Sequence, residues 1–533
     1  MTRLSVNTTK GFPSPQMVED KLVVIEARLN GGMDVYVDPA DLSNVRGTLF
    51  QNVEIRADKV FRRAGSDVIS PAKPNSDPVL LYVAFKRFDG TTIYLRFTKN
   101  KLYKSGVSSW TEITSASAFS ITNTTRIKFT TLNDRFFFSV GNKEIQEINF
   151  GSNTYAALGN AGKYKYITGF FNRVIGANKY DSSSPNPVLV GWSGDLNFGV
   201  WDTATDISAG STPLVEAATD FADPITGLFG FASVMLMLRE RSLWTATKRA
   251  VASNPFQFQA SFPYAGCDTP NSATQKRNGI VWYDNRSNQV YDYTIGSNPR
   301  EIGDAVRDLI RTRITDLDSV MGTYDTVRNR YHLLIPSSNS NQTYEYVFDY
   351  GTESWVETVR PLAASVSMLD GGSVAKTIDE LSGTINSLVG YINDLSTTTL
   401  NPPKLFYGLS DGDIVSANST TSTDNGTSFT SSIRSKVFSN QEGDLLVRRL
   451  LFKYLPLSAG TVTFYFSRDG GDTWETYETL TITSNDLNKR KIYLITQNIR
   501  APEFCFRIDM NTANIQLLEY RMDVLVSPLT KSN

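Results

Sequence analysis

Residues 467–474 read Ser-Arg-Asp-Gly-Gly-Asp-Thr-Trp, which has the form S-x-D-x-G-x-T-W of an Asp box. Boxes of this form decorate sugar-cleaving β-propellers, so glycoside hydrolysis is the first chemistry to weigh. That reaction needs two carboxylates roughly 5–10 Å apart. The chain has 54 Asp and Glu residues to draw on, and no spacing locates such a pair. The box itself is a hairpin device. Asp469 can accept from backbone N–H groups of the turn that follows. Gly470 and Gly471 supply positive φ, and Trp474 can pack beneath the turn. Ser467, Asp469, Gly471, Thr473 and Trp474 are therefore expected to be structural turn residues, none of them catalytic.

A sialidase would carry several boxes, one per blade, with three arginines converging on the substrate carboxylate and a Tyr–Glu pair. Here there is one box, near the C-terminus, and no spacing singles out such arginines. His332 is the only histidine, so a Ser-His-Asp or Cys-His site would have to use it. It sits in the strand-like run 329–336, where a lone histidine is more often a packed or edge residue. No H-E-x-x-H, G-x-S-x-G or Walker A pattern occurs. Cys267 and Cys505 lie far apart with no C-x-x-C, which points away from a disulfide framework, a zinc site or redox work and leaves one bridge open. The expectation is no catalytic residue, no cofactor and no metal.

The elements that would position such residues are strands. Hydrophobic residues make up 40 % of the 533, enough for a core, while charged residues are only 20 % and the formal net charge is −1. That balance gives no pull toward nucleic acid or an anionic membrane. The first residues lack the apolar stretch of a secretory signal, and no run of about 18 apolar residues spans a bilayer. Assembly in a cytoplasm is expected. Helical spacing is confined to 301–314 and 377–392. Hairpin signals recur instead, with turns at Asp89-Gly90, Asn133-Asp134, Gly141-Asn142, Arg239–Arg241 and Asn285–Asn288. They return every ~35–50 residues between about 76 and 415, as four-stranded propeller blades do. Six or seven blades fit, and a pair of stacked sheets is the competing architecture. Residues 416–430 are polar and short-chained, the composition of a linker or long loop. Beyond them Val462, Phe464 and Phe466 alternate, as do Phe504, Phe506, Ile508 and Met510, and Leu518, Tyr520, Met522 and Val524. The fold class expected is all-β: an N-terminal extended arm with platform strands (1–75), a β-propeller-like domain (76–415), the linker (416–430) and a C-terminal antiparallel β-sandwich carrying the Asp-box hairpin (431–533).

Within the propeller, Gly266, Cys267, Ser272, Asn278, Gly279, Ile280, Val281 and Trp282 form a pattern: a Gly-Cys pair after a strand, a Ser/Thr crossover, then Asn-Gly opening the next blade. Together with the arm at 11–30, the run 131–150 and the element at 377–388, this resembles tail nozzle, or hub, proteins of short-tailed bacteriophages over roughly residues 80–415. The resemblance implies a structural virion protein. Six copies would form a ring below the portal and adaptor rings, retaining DNA and then passing it without specific binding. Tail fibre, spike and needle proteins would be partners, and the location would be the virion tail, assembled in the host bacterial cytoplasm. The family has no catalytic residues to carry over. A near-neutral chain without a dense Lys/Arg stripe suits a conduit that must not grip phosphate. A glycan-binding or glycan-cleaving propeller of the sialidase type is the alternative.

Overall fold

The computed structural model describes residues 21–69, 71–106, 109–180, 184–215, 223–369, 373–374, 399–400, 403–418, 421–440, 444–496 and 498–526. Between Leu81 and Pro361 the chain forms six successive four-stranded antiparallel meanders, the blades of a β-propeller. Their innermost strands are Leu81–Lys86, Lys128–Leu132, Tyr164–Phe170, Ile225–Gly230, Thr274–Lys276 and Met321–Asp325. The turns are where the sequence puts them. Asn133 and Asp134 take φ of 49° and 60° between the paired Leu132 and Arg135, the two left-handed residues that a type I′ turn requires.

A further mixed sheet completes the ring between the sixth blade and the first. Its inner strand Ala363–Leu369 packs beside Leu81–Lys86, followed outward by Lys404–Leu409 and Ile414–Asn418. The next strand, Gly65–Val68, comes from the other end of the chain and pairs antiparallel with Ile414–Asn418, Val68 opposite Val415 and Gly65 opposite Asn418. The polar stretch 416–430 contributes a small hairpin, Thr423–Asp424 with Thr427–Ser428, on the outer side of Gly65–Val68.

The sandwich is built from both ends as well. One sheet runs Val53–Arg56, Lys59–Arg62, Ile515–Val526, Leu445–Pro456 and Lys491–Ile495, with Lys21–Ala27 also pairing Ile515–Val526. The other has ten strands and is continuous with the sixth blade. The blade's outer strand Ser354–Pro361 pairs in parallel with Leu49–Gln51, which leads through Ser431–Arg434 to Glu503–Met510, Gly460–Ser467 and Glu475–Ile482. One apolar core spans the weld. Tyr283, Tyr331 and Tyr346 of the propeller belong to the same cluster as Phe452, Phe464, Phe506 and Tyr520 of the sandwich.

The expected alternation appears in Val462, Phe464 and Phe466 and in Phe504, Phe506, Ile508 and Met510, all buried. Leu518 departs from it. The pairing with Leu445–Pro456 slips between Lys453 and Tyr454, so Leu517 faces the core and Leu518 turns outward, the effect of a bulge on everything beyond it. The helix expected at 301–314 shortens to Arg307–Arg313, anchored by Ile310. The one expected at 377–392 lies outside the described residues.

The Gly266–Trp282 pattern is scaffolding in the fifth blade. A side chain at Gly266 would meet the Arg241 backbone nitrogen at 2.4 Å, and the Gly266 carbonyl accepts from Trp282 Nε1 at 2.7 Å. Ser272 Oγ donates to the Thr269 carbonyl at 2.7 Å and accepts from Tyr283 N at 3.0 Å. Cys267 and Cys505 are both buried free thiols. Burial pushes Cys505 up to about 11, so it is no thiolate at neutral pH.

Candidate functional site

His332, the lone histidine, sits in a buried polar cluster with Glu345, Arg360 and Tyr407. The sixth blade's strands Arg330–Ser337, Gln342–Asp349 and Ser354–Pro361 bring His332, Glu345 and Arg360 to one face, offset by two residues across the pairing. Glu345 is fully buried. Its carboxylate contacts His332 Nδ1 at 2.8 Å and accepts from Arg360 Nε at 2.6 Å and the Tyr407 hydroxyl at 2.7 Å. Burial alone would raise its pKa, but the Arg360 guanidinium and His332 more than offset that and hold it well below the usual carboxylate range. A carboxylate so held is a poor proton acceptor near neutral pH.

The cluster continues into the closing sheet. Asp424 receives both terminal nitrogens of Arg63, one at 2.9 Å, and Ser66 Oγ at 2.9 Å. Arg360 Nη1 lies 3.8 Å from the same carboxylate. Arg63 and Arg62 also stack on Phe429, 3.7 and 4.5 Å from the ring centre. Three arginines and a Tyr–Glu pair, Arg62, Arg63, Arg360, Tyr407 and Glu345, thus gather in one place, which sequence spacing did not reveal. Arg63 and Arg360 are ion-paired with Asp424 and Glu345, while Arg62 donates to the carbonyls of Asn511, Ser422 and Phe429. What the arrangement can do is clamp Gly65–Val68 and the 423–428 hairpin to the sixth blade.

The Asp box lies in the sandwich, at the turn after Gly460–Ser467, away from the propeller axis. Ser467 Oγ donates to Asp469 Oδ1 at 2.6 Å and accepts from Gly471 N at 2.8 Å. Asp469 accepts from Thr473 N at 2.9 Å and Thr473 Oγ1 at 2.5 Å, and these bonds hold its pKa below the usual range. Gly470 and Gly471 have φ of 72° and 106°. Trp474 is half-buried, with the guanidiniums of the cross-strand neighbours Arg434 and Arg507 at 4.8 and 5.2 Å from its ring. The Ser467, Asp469 and Thr473 side chains bond to one another within the motif, and Arg468 pairs with Glu475 just beyond it.

The axis of the propeller holds a cavity of about 930 Å³, lined by the six inner strands and by Ala363–Leu369. Its charged lining residues are Lys86, Arg126 and Lys128. Among the described residues, no group of three or more His, Cys, Asp or Glu side chains is placed to hold a metal ion, and no helix is long and apolar enough to cross a membrane.

No protein-family model and no curated protein sequence matches this chain. Among solved structures it is similar to BBS1N in complex with ARL6DN, at 10 % identity over 68 % of this chain and 98 % of that one, TM-score 0.37. It is similar also to the computationally designed Ika8 protein, at 9 % identity over 72 % and 99 %, TM-score 0.37. A third is BamB from Moraxella catarrhalis, at 9 % identity over 66 % and 97 %, TM-score 0.34. At these values the likenesses carry nothing about function, and the propeller rests on the strand pairing.

Proposed function

We propose that this chain is a structural virion protein, the nozzle of a short-tailed phage, six copies of which form a ring that continues the DNA channel below the adaptor, retains DNA and passes it at ejection. The observation that carries this reading is the weld: blade and sandwich share one ten-stranded sheet and one core. Such a body suits a load-bearing part better than an enzyme with moving lids. A closed homohexameric ring needs two unlike faces on each subunit, and propeller and sandwich supply distinct ones. The duplex would pass through the ring's centre and not through the propeller axis, where Arg126 and Lys128 bond to loops of other blades. Adaptor, fibre, spike and needle proteins are the partners this reading assigns.

The glycan-cleaving alternative draws on the Asp box and the three-arginine cluster, but the Asp469 carboxylate is bonded within its own turn and Arg63 and Arg360 are ion-paired with Asp424 and Glu345. Purified protein assayed on sialosides, capsule and peptidoglycan separates the two: the nozzle reading expects no turnover. Turnover abolished by one carboxylate substitution would favour the enzyme.

A further inference from the structure

The axial cavity has an electrostatic asymmetry that neither the fold nor the nozzle reading requires. Its charged lining groups are all cations, and no Asp or Glu lines it among the described residues. Arg126 and Lys128 stand two residues apart at the start of the second blade's inner strand and reach to loops that precede the fifth and sixth blades. Lys128 Nζ donates to Asn271 Oδ1 at 3.1 Å and lies 5.8 Å from the centre of the Tyr166 ring. Arg126 donates through Nη2 to the Ser319 carbonyl at 3.2 Å and through Nη1 to the Asn123 carbonyl at 3.1 Å. Its Nε is buried without a partner. Neither cation has a carboxylate within 4 Å among the described residues.

Both side chains are half-buried, and two like charges placed side by side without a salt bridge repel each other. Each makes only neutral hydrogen bonds to neighbouring loops, which leaves its charge without a direct counter-ion. A concave site whose lining carries cations and no carboxylate suits an anion, and a guanidinium beside an ammonium matches carboxylate or phosphate oxygens.

We propose that the axial cavity is a binding site for a small molecule bearing an oxyanion, a carboxylate or a phosphate, which Arg126 and Lys128 clamp with Asn271 orienting the lysine. At about 930 Å³ the cavity takes a ligand of sugar-acid or sugar-phosphate size. Burial and the neighbouring Arg126 bring Lys128 down to about 8, while burial brings Arg126 down to about 10. Asp316 and Asp318 favour the charged form of Arg126, and Cys267, near Lys128, is pushed far up by burial and stays a neutral thiol. Affinity therefore falls as pH rises through about 8, when Lys128 loses its proton.

The test is calorimetric titration of the full chain with inorganic phosphate and with glucuronate, at pH 7 and pH 9. Saturable binding of either probe is expected, at least tenfold weaker at pH 9 and at least tenfold weaker in Lys128→Met and Arg126→Gln. Lys128→Arg keeps the charge and should keep the binding, which guards against variants that fail to fold. Phosphate should also slow the labelling of Lys128 by an amine reagent in the wild-type chain. Which probe binds tells the source of the oxyanion. Binding of neither, or binding unchanged in Lys128→Met, overturns the proposal.

Discussion

Glu345 shows how a buried titratable residue can carry stability through its ion pair. It is fully buried and surrounded by Arg360, His332 and Tyr407. Removing its charge leaves Arg360 partly uncompensated, and breaking a buried pair costs about 3–5 kcal/mol. Glu345→Gln should lower stability by that order in urea unfolding at pH 7. The sign of the pH effect follows from the lowered folded pKa. The stabilisation is complete above the unfolded value of about 4.3 and is lost as pH falls from there toward the folded value. The wild type should lose stability over that range, and the variant should lack this part of the slope. Trp474, half-buried against two guanidiniums, should cost about 2–3 kcal/mol on truncation to Ala, less than a fully buried indole. Calorimetric melting of Trp474→Ala checks this, and a melt identical to wild type would remove the motif's structural role. The turn chemistry of Asp469, Gly471 and Thr473 was legible in the sequence because an Asp box is local. The Arg63–Asp424 clamp was not, because those residues meet only when the ring closes.

At the level of elements, hairpins were readable and closure was not. Asp89-Gly90 and Asn133-Asp134 announce their turns through backbone preference, and the flanking strands follow. Gly65–Val68 carries too little pattern to identify itself as part of the ring, and its partner lies near residue 415. The six-or-seven ambiguity in blade number has the same origin: six blades are sequential meanders, and the closing sheet draws strands from both ends. Leu518 was placed on the wrong face because a bulge shifts register without leaving a compositional mark. Closure of this kind makes one seam decisive. Asp424→Ala should open it selectively, so hydrogen exchange at 65–68 and 414–418 should quicken while blades two to four keep their protection. Uniform acceleration across all blades would mean that the clamp is not a local lock.

For the whole molecule, the continuous ten-stranded sheet and shared core predict one cooperative unit. Propeller and sandwich should melt in a single calorimetric transition with matching van't Hoff enthalpy, whereas two separated transitions would show that the weld carries little energy. A single cooperative unit would suit the proposed nozzle role, in which a conduit loaded by DNA must transmit force without hinging at a linker. The near-neutral charge of −1 suits passage of a polyanion without capture. The proposed nozzle role stands or falls on where the chain sits and in how many copies. Electron microscopy of intact particles, with this chain located in the tail density, tests it most directly. The result predicted is a six-fold ring below the adaptor, built from side-by-side propellers around an open DNA channel. A ring of another number, or particles that lack the protein yet assemble and retain DNA normally, would contradict it.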